Sequence, residues 1–209
     1  MLAIISPAKS LDFDSDIPDV APSDIRFPEE TERLATAIGN LTISKLKAIM
    51  PVSDNLIALN RQRYSDFFAQ PERPAIYAYN GDVYTGFEAS SIGDEAMAFA
   101  QNHLRILSGL YGLLRPLDPI RPHRLEMGTK WAPRYSKLTD FWKDKIAKAR
   151  EAGHGLAVCP QCEGKTGHFG ASSGNERGMG GPSKALSEGN AAGNCEHVFH
   201  RAANLGAEQ

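Results

Sequence analysis

The first 150 residues contain no cysteine, and the whole chain has only three, an odd number. That argues against a scaffold built on paired disulfides, the usual solution for small secreted domains. No uninterrupted apolar run approaches the ~20 residues that a membrane-spanning helix requires. The opening Met1-Leu2-Ala3-Ile4-Ile5-Ser6-Pro7 has neither a basic lead nor a long apolar stretch. No secretory signal and a cytoplasmic location are therefore expected. Histidine is also scarce: only His103 and His123 precede residue 150. Cysteine–histidine nucleophile pairs and zinc hydrolase sites have no material there, and no cofactor is expected.

What is present suits one globular domain, or one domain plus a tail. The 209 residues are 42% hydrophobic and 23% charged, enough to bury a sizeable core. The net charge of −2 conceals an uneven distribution. Residues 1–100 hold 8 Lys+Arg against 15 Asp+Glu, and residues 101–150 hold 11 against 4. A basic block in an otherwise acidic chain fits a polyanion site. It equally fits cations scattered by the fold or paired with the acidic first hundred residues.

Residues 151–209 differ in kind. They carry 12 of the 19 glycines, all three cysteines and 4 of the 6 histidines, but no Ile, Trp, Tyr or Asp. So few apolar side chains cannot offset the entropy of ordering the chain, and the composition predicts a disordered tail over 149–209. Its Cys159, Cys162, Cys195, His197 and His200 have spacings that admit a tetrahedral zinc site. The two halves lie more than thirty residues apart, with almost no apolar residue to build a knuckle around. No metal is assigned.

Within 1–148, Leu2 to Ile5 reads as a buried strand and 12–28 as loop. Helices are predicted from Glu29 to Ile38, from Ile43 to Met50, and after a cap at Ser53 or Asp54. Ala75 to Tyr79 reads as a strand and Asn80 to Gly86 as a polar loop. Apolar spacing at Met97, Ala100, Leu104 and Leu107 predicts one helix from Asp94 to Leu107. Leu125 to Met127 reads as a strand, and Thr139 as the cap of a last helix. The alternation predicts a mixed α/β (α+β) fold.

Four stretches carry candidate chemistry. Leu107 to Pro116 follows the predicted helix and holds Gly109 and Gly112 three apart. A C-cap, a reversal and a second helical turn form a helix-hairpin-helix, whose free N–H groups would grip phosphates. Arg105, Ser108, Tyr111, Arg115, Arg121 and Arg124 are the accompanying DNA-contact candidates. The other reading is a plain hairpin turning a corner in the core. Ser6 and Lys9 follow a strand end, where α/β folds place ligands, and Lys9 there suits phosphate. Asp82 is a candidate base, metal ligand or turn cap. Arg124 and Glu126 share one face of the predicted strand, as a cleft pair or a surface pair.

Three of these stretches, taken whole, resemble the YaaA family of bacterial peroxide-stress proteins. They are Ile4 to Asp12, Asn80 to Gly86, and His103 to Asp118. Pro122 to Gly128 and the Phe141-Trp142 pair extend the resemblance across about 1–148. It implies a fold particular to the family with a positively charged cleft. It also implies DNA binding by a helix-hairpin-helix corresponding to Leu104–Arg115. A role in hydrogen peroxide stress, accompanied by lower intracellular free iron, goes with it, and no established catalysis. Duplex DNA held with little sequence specificity is thus the expected partner. The alternatives are an enzyme on a small anionic or nucleotide substrate bound by Lys9, Asp82, Arg124 and Glu126, or a truncated, non-functional chain. The change of composition at 149–209 leads to the expectation of a reading-frame change in the gene.

Overall fold

The structure is a computed structural model, and it describes residues 2–149 and 156–158. The first strand, β1 (Leu2–Ile5), is followed by the two-residue β2 (Ser10–Leu11) and a long loop. Three helices come next: α1 (Pro28–Gly39), α2 (Ile43–Ile49) and α3 (Asp54–Ser65), then a 3-10 turn at Phe67–Ala69. Short elements cross the middle: β3 (Arg73–Pro74), α4 (Ala75–Ala78), β4 (Tyr79–Asn80) and α5 (Asp82–Phe87). After α6 (Asp94–His103) come β5 (Leu104–Ser108), β6 (Gly112–Leu114) and β7 (Pro119–Ile120). The helix α7 (Leu138–Ala149) and β8 (Leu156–Val158) complete the described elements.

The main sheet has the order β6-β5-β1-β8. β1 lies between β5 and β8 and is parallel to both, with Ile5 opposite Ile106 and Ile4 opposite Val158. β6 folds back antiparallel on β5, with Ser108 opposite Gly112. A strand covered on both faces needs apolar residues at every position rather than alternation. β5 is buried at all five positions, with Arg105 and Ser108 as buried polar exceptions to that rule. α6 packs against β1 and β5 and α7 against β6, and Leu34, Ile38, Met97, Phe141 and Trp142 all belong to one continuous core. Pro28 starts α1, where its missing N–H costs nothing. Thr42 accepts a hydrogen bond from Lys45 N at the start of α2.

Five predicted elements are corrected. The helix expected to reach Leu107 ends at His103, and the next five residues are strand β5. The expected helix-hairpin-helix at Leu104–Arg115 is therefore a β-hairpin, because Leu104 and Ile106 pair with neighbours in the sheet instead of with the preceding turn. Ala75 to Ala78 forms a helical turn, not a strand, since Ala75 N and Ile76 N donate to the Asp118 and Pro116 carbonyls. The polar stretch from Asp82 forms α5, begun by Tyr84 N and Thr85 N donating to the Gly81 carbonyl. Leu125 to Met127 runs outside any strand. The tail read as disordered lies outside the described residues, apart from β8.

Candidate functional site

The carboxyl ends of the parallel strands β1 and β5 gather most of the signature stretches. Ser6 follows β1, and its carbonyl accepts a 2.9 Å hydrogen bond from Tyr84 Oη on α5. β2, just beyond Lys9, pairs with β4, bringing Ser10 beside Asn80. At the end of β5 the chain turns under the 123–127 segment, so close that a Cβ on Gly109 would lie 2.3 Å from the Leu125 carbonyl oxygen. His123 packs edge-on against the rings of Tyr79 and Tyr111. The sheet topology thus brings Ser6, the Asn80–Tyr84 stretch and the 123–127 segment to one edge, the ligand-binding edge of α/β folds.

The chemistry at this edge is set by burial. Burial pushes the His123 imidazole down to about 4, against a smaller opposing effect from its hydrogen bond to Arg121. His123 is therefore neutral near pH 7, and with Nδ1 at 2.7 Å from the Arg121 carbonyl it carries its proton on Nδ1. Burial also raises the Tyr79 and Tyr111 hydroxyls, which stay protonated. Arg124 Nε is buried and without a hydrogen bond, while its Nη2 reaches Glu126 at 3.1 Å. Glu126 is 58% exposed, so this is a surface pair worth little to stability. Lys9 and Asp82 are exposed, Asp82 in the first turn of α5. Beside this edge lies an open cavity of 370 Å³ whose lining includes Asp12, Arg73, Tyr77 and Glu88.

The hairpin itself faces inward. Ser108, Leu110 and Tyr111 are at most 1% exposed. Tyr111 N donates to Ser108 Oγ, and Tyr111 Oη accepts from Arg121 N at 2.8 Å. The Gly109 carbonyl accepts from Trp142 Nε1 at 2.8 Å. Gly112 has a φ of +72° and lies under the Trp142 ring, which a Cβ would meet at 2.7 Å. The outward-facing amides expected of Ser108, Gly109, Tyr111 and Gly112 are thus in the core, and the reading as a corner-turning hairpin describes them better. Arg105 is buried and donates to the Gln101 and Leu104 carbonyls. Arg115 is tied to Asp118, and Arg121 to Glu72 at 2.8 Å with its guanidinium over the Phe67 ring.

The exposed cations lie further along. Lys130, Arg134, Lys137, Lys143 and Lys148 are all exposed, and no ion pair among the described residues involves them. Sequence reasoning registered their charge only as part of the basic block and named none of them. Among the described residues no three His, Cys, Asp or Glu side chains group so as to hold a metal ion. The candidates Cys159, Cys162, Cys195, His197 and His200 lie outside the described residues. No described helix is long and apolar enough to cross a membrane.

A mixed α/β protein with its signature loops gathered at the carboxyl edge of a small parallel core is the class these features define. The chain matches the family described as "Peroxide stress protein YaaA" over residues 1–157. It is 52% identical over 169 residues to a UPF0246 protein of Rhizorhabdus wittichii, covering 79% of this chain and 67% of that one. A UPF0246 protein of Idiomarina loihiensis is 46% identical over 153 residues, covering 71% and 59%. One from Roseobacter denitrificans is 48% identical over 158 residues, covering 73% and 60%. The chain belongs to the YaaA peroxide-stress family, and it spans about three fifths to two thirds of the length of these relatives.

Proposed function

We propose that the chain acts in the peroxide response by holding duplex DNA through its phosphate backbone, on the basic surface from Lys130 to Lys148. The observation that carries this reading is the set of five exposed cations in that stretch that have no ion pair among the described residues. Residues 130–148 hold six Lys+Arg against Asp140 and Asp144 alone. From Lys137 to Lys148 the chain covers about 16 Å at the helical rise, comparable to a run of several phosphates. Flexible lysines neutralise phosphates without reading bases, so low sequence specificity goes with this surface. Shielding the backbone during iron-driven peroxide chemistry would protect it, and the reading assigns no residue to iron. The test is anisotropy of a labelled duplex at low salt. Replacing Lys137, Lys143 and Lys148 by Gln together is expected to weaken binding by about tenfold or more. Lys45→Gln, the same type of change on α2, leaves it unaltered.

A second reading rests on a separate observation, the gathering of Ser6, Tyr84 and the 123–127 segment at the carboxyl edge. There the chain would take a small anionic or nucleotide substrate, with Lys9 and Arg124 as cations and Asp82 and Glu126 as carboxylates. Nucleotide binding lost in Arg124→Gln, with duplex binding intact, would favour it.

A further inference from the structure

We propose that the 370 Å³ cavity beside the carboxyl edge binds one small zwitterion, a free α-amino acid, with its carboxylate on Arg73 and its ammonium on Asp12 and Glu88. The volume lies within the range of small-molecule sites, about 300–1,000 Å³. Residues of β3, β4 and α5 wall it, together with the loop that follows β2. None of Lys9, Asp82, Arg124 or Glu126 lines it, and neither do the exposed cations from Lys130 to Lys148. The site is therefore independent of both readings above.

The inference starts from Arg73. It is 9% exposed, so its charge is almost wholly withdrawn from water. Pairing with Ile120 across β3 and β7 fixes its backbone. Its Nη2 donates to the Ser15 carbonyl, the only hydrogen bond of the guanidinium among the described residues. Its Cζ lies over the Phe13 ring, 6.0 Å from the centroid. No carboxylate among the described residues forms an ion pair with it. A buried charge without a counter-charge is costly, and the planar fork of a guanidinium suits a carboxylate. The cavity is where such a group can reach it.

The rest of the wall has the opposite charge. Asp12, Asp16 and Glu88 line the cavity, and none of them has an ion pair among the described residues. Asp12 N donates to the Ala78 carbonyl at 2.8 Å, which fixes the start of the loop. Asp12 Oδ1 accepts from Asp14 N and Ser15 N, both at 3.0 Å. The Ser15 hydroxyl and these amides hold the Asp12 carboxyl down at about 2, so it is ionised at neutral pH. Glu88 has a φ of +49°, a left-handed conformation uncommon outside glycine. Ser91 N and Oγ donate to its carbonyl at 2.8 and 2.9 Å and hold the turn.

Three carboxylates repel a simple anion. A simple cation leaves Arg73 unanswered, and a neutral ligand answers neither charge. A zwitterion complements both. Arg73 and Asp12 do not pair directly, yet the guanidinium helps to keep the carboxyl ionised. A ligand whose opposite charges flank one carbon can bridge such a pair. Tyr77 and Ile17 offer apolar surface to its side chain.

The test is titration calorimetry of each of the twenty protein amino acids into the full chain at low ionic strength. At least one is expected to bind at a single saturable site. Its amine and carboxylic acid analogues, each lacking one charge, are expected to bind about tenfold or more weakly. Asp12→Asn keeps the Oδ1 that accepts the two amides and removes the charge, so it should weaken binding by about tenfold or more with the turn in place. Arg73→Lys keeps the charge but loses the fork, and a comparable loss is expected. Glu95→Gln, an exposed carboxylate on α6 outside the cavity, should bind as the unaltered chain does. No saturable amino acid binding to a chain that melts cooperatively would overturn the proposal. So would an analogue that binds as tightly as the amino acid, or equal affinity in Asp12→Asn and the unaltered chain.

Discussion

Replacing Gly109 by alanine separates a buried β-hairpin from an exposed phosphate grip. The added Cβ would lie 2.3 Å from the Leu125 carbonyl oxygen and 3.0 Å from Glu126 C. Both obstacles are backbone, so no side-chain rotation relieves them. Moving either segment of this contact also disturbs the 2.8 Å bond from Trp142 Nε1 to the Gly109 carbonyl. Overpacking of a closed core costs about 1–3 kcal/mol, and a backbone obstacle belongs at the upper end. For a chain of this size that is a fall of roughly 6–12 °C in Tm. Gly86 supplies the internal control: it lies in α5 with nothing within 4 Å of a Cβ. Gly86→Ala is expected to leave Tm unchanged or raise it, by up to about 1 kcal/mol of helix propensity. Calorimetry or thermal circular dichroism on the two variants reads the difference directly. If Gly109→Ala melts with the unaltered chain, the inward-facing hairpin is wrong.

Three further outcomes follow from the same packing. Asp118→Asn weakens a fully buried carboxylate that accepts from Arg115 N, Arg115 Nε and Ser23 Oγ, and should lower stability by about 2 kcal/mol or more in urea unfolding. His123 has a folded value of about 4, below its ordinary 6.5, so the unfolded chain takes up the proton first. Its contribution is whole above pH 6.5 and is lost as pH falls towards 4, by roughly 3 kcal/mol at most. His123→Phe should flatten urea-midpoint profiles across that window, and an unchanged acid limb would refute the buried neutral imidazole. Trp142→Phe removes the indole donor from the Gly109 carbonyl within a fully buried site and should cost about 1–3 kcal/mol, with loss of a blue-shifted emission component.

The sequence made some elements legible because their signals were local. Leu34 and Ile38, four apart, lie on the buried face of α1, and Pro28 and Gly39 bound it. Phe141, Trp142 and Ile146 did the same for α7. The failures came where tertiary partners decide. Leu104 and Leu107 continue the spacing of Met97 and Ala100, yet they belong to a strand buried on both faces, where two leucines three apart mimic a helix face. At Ala75–Ala78 aromatic and β-branched residues suggested a strand, but the first amides find carbonyls at Pro116 and Asp118, distant in sequence. The clustering at the carboxyl edge was foreshadowed by Ser6 and Lys9 following a strand. Two glycines three apart, by contrast, look the same whether they free amides for a phosphate or admit Leu125 and Trp142 into a core.

The most direct test of DNA binding on the Lys130–Lys148 surface is duplex affinity across a salt series. Each phosphate neutralised contributes about −0.9 to the slope of log affinity against log salt. The unaltered chain should show a steep negative slope. The Lys137→Gln/Lys143→Gln/Lys148→Gln variant should lose about two to three units of it while melting at the same temperature. An unchanged slope in that variant, or no binding at low salt by a cooperatively melting chain, would contradict the account.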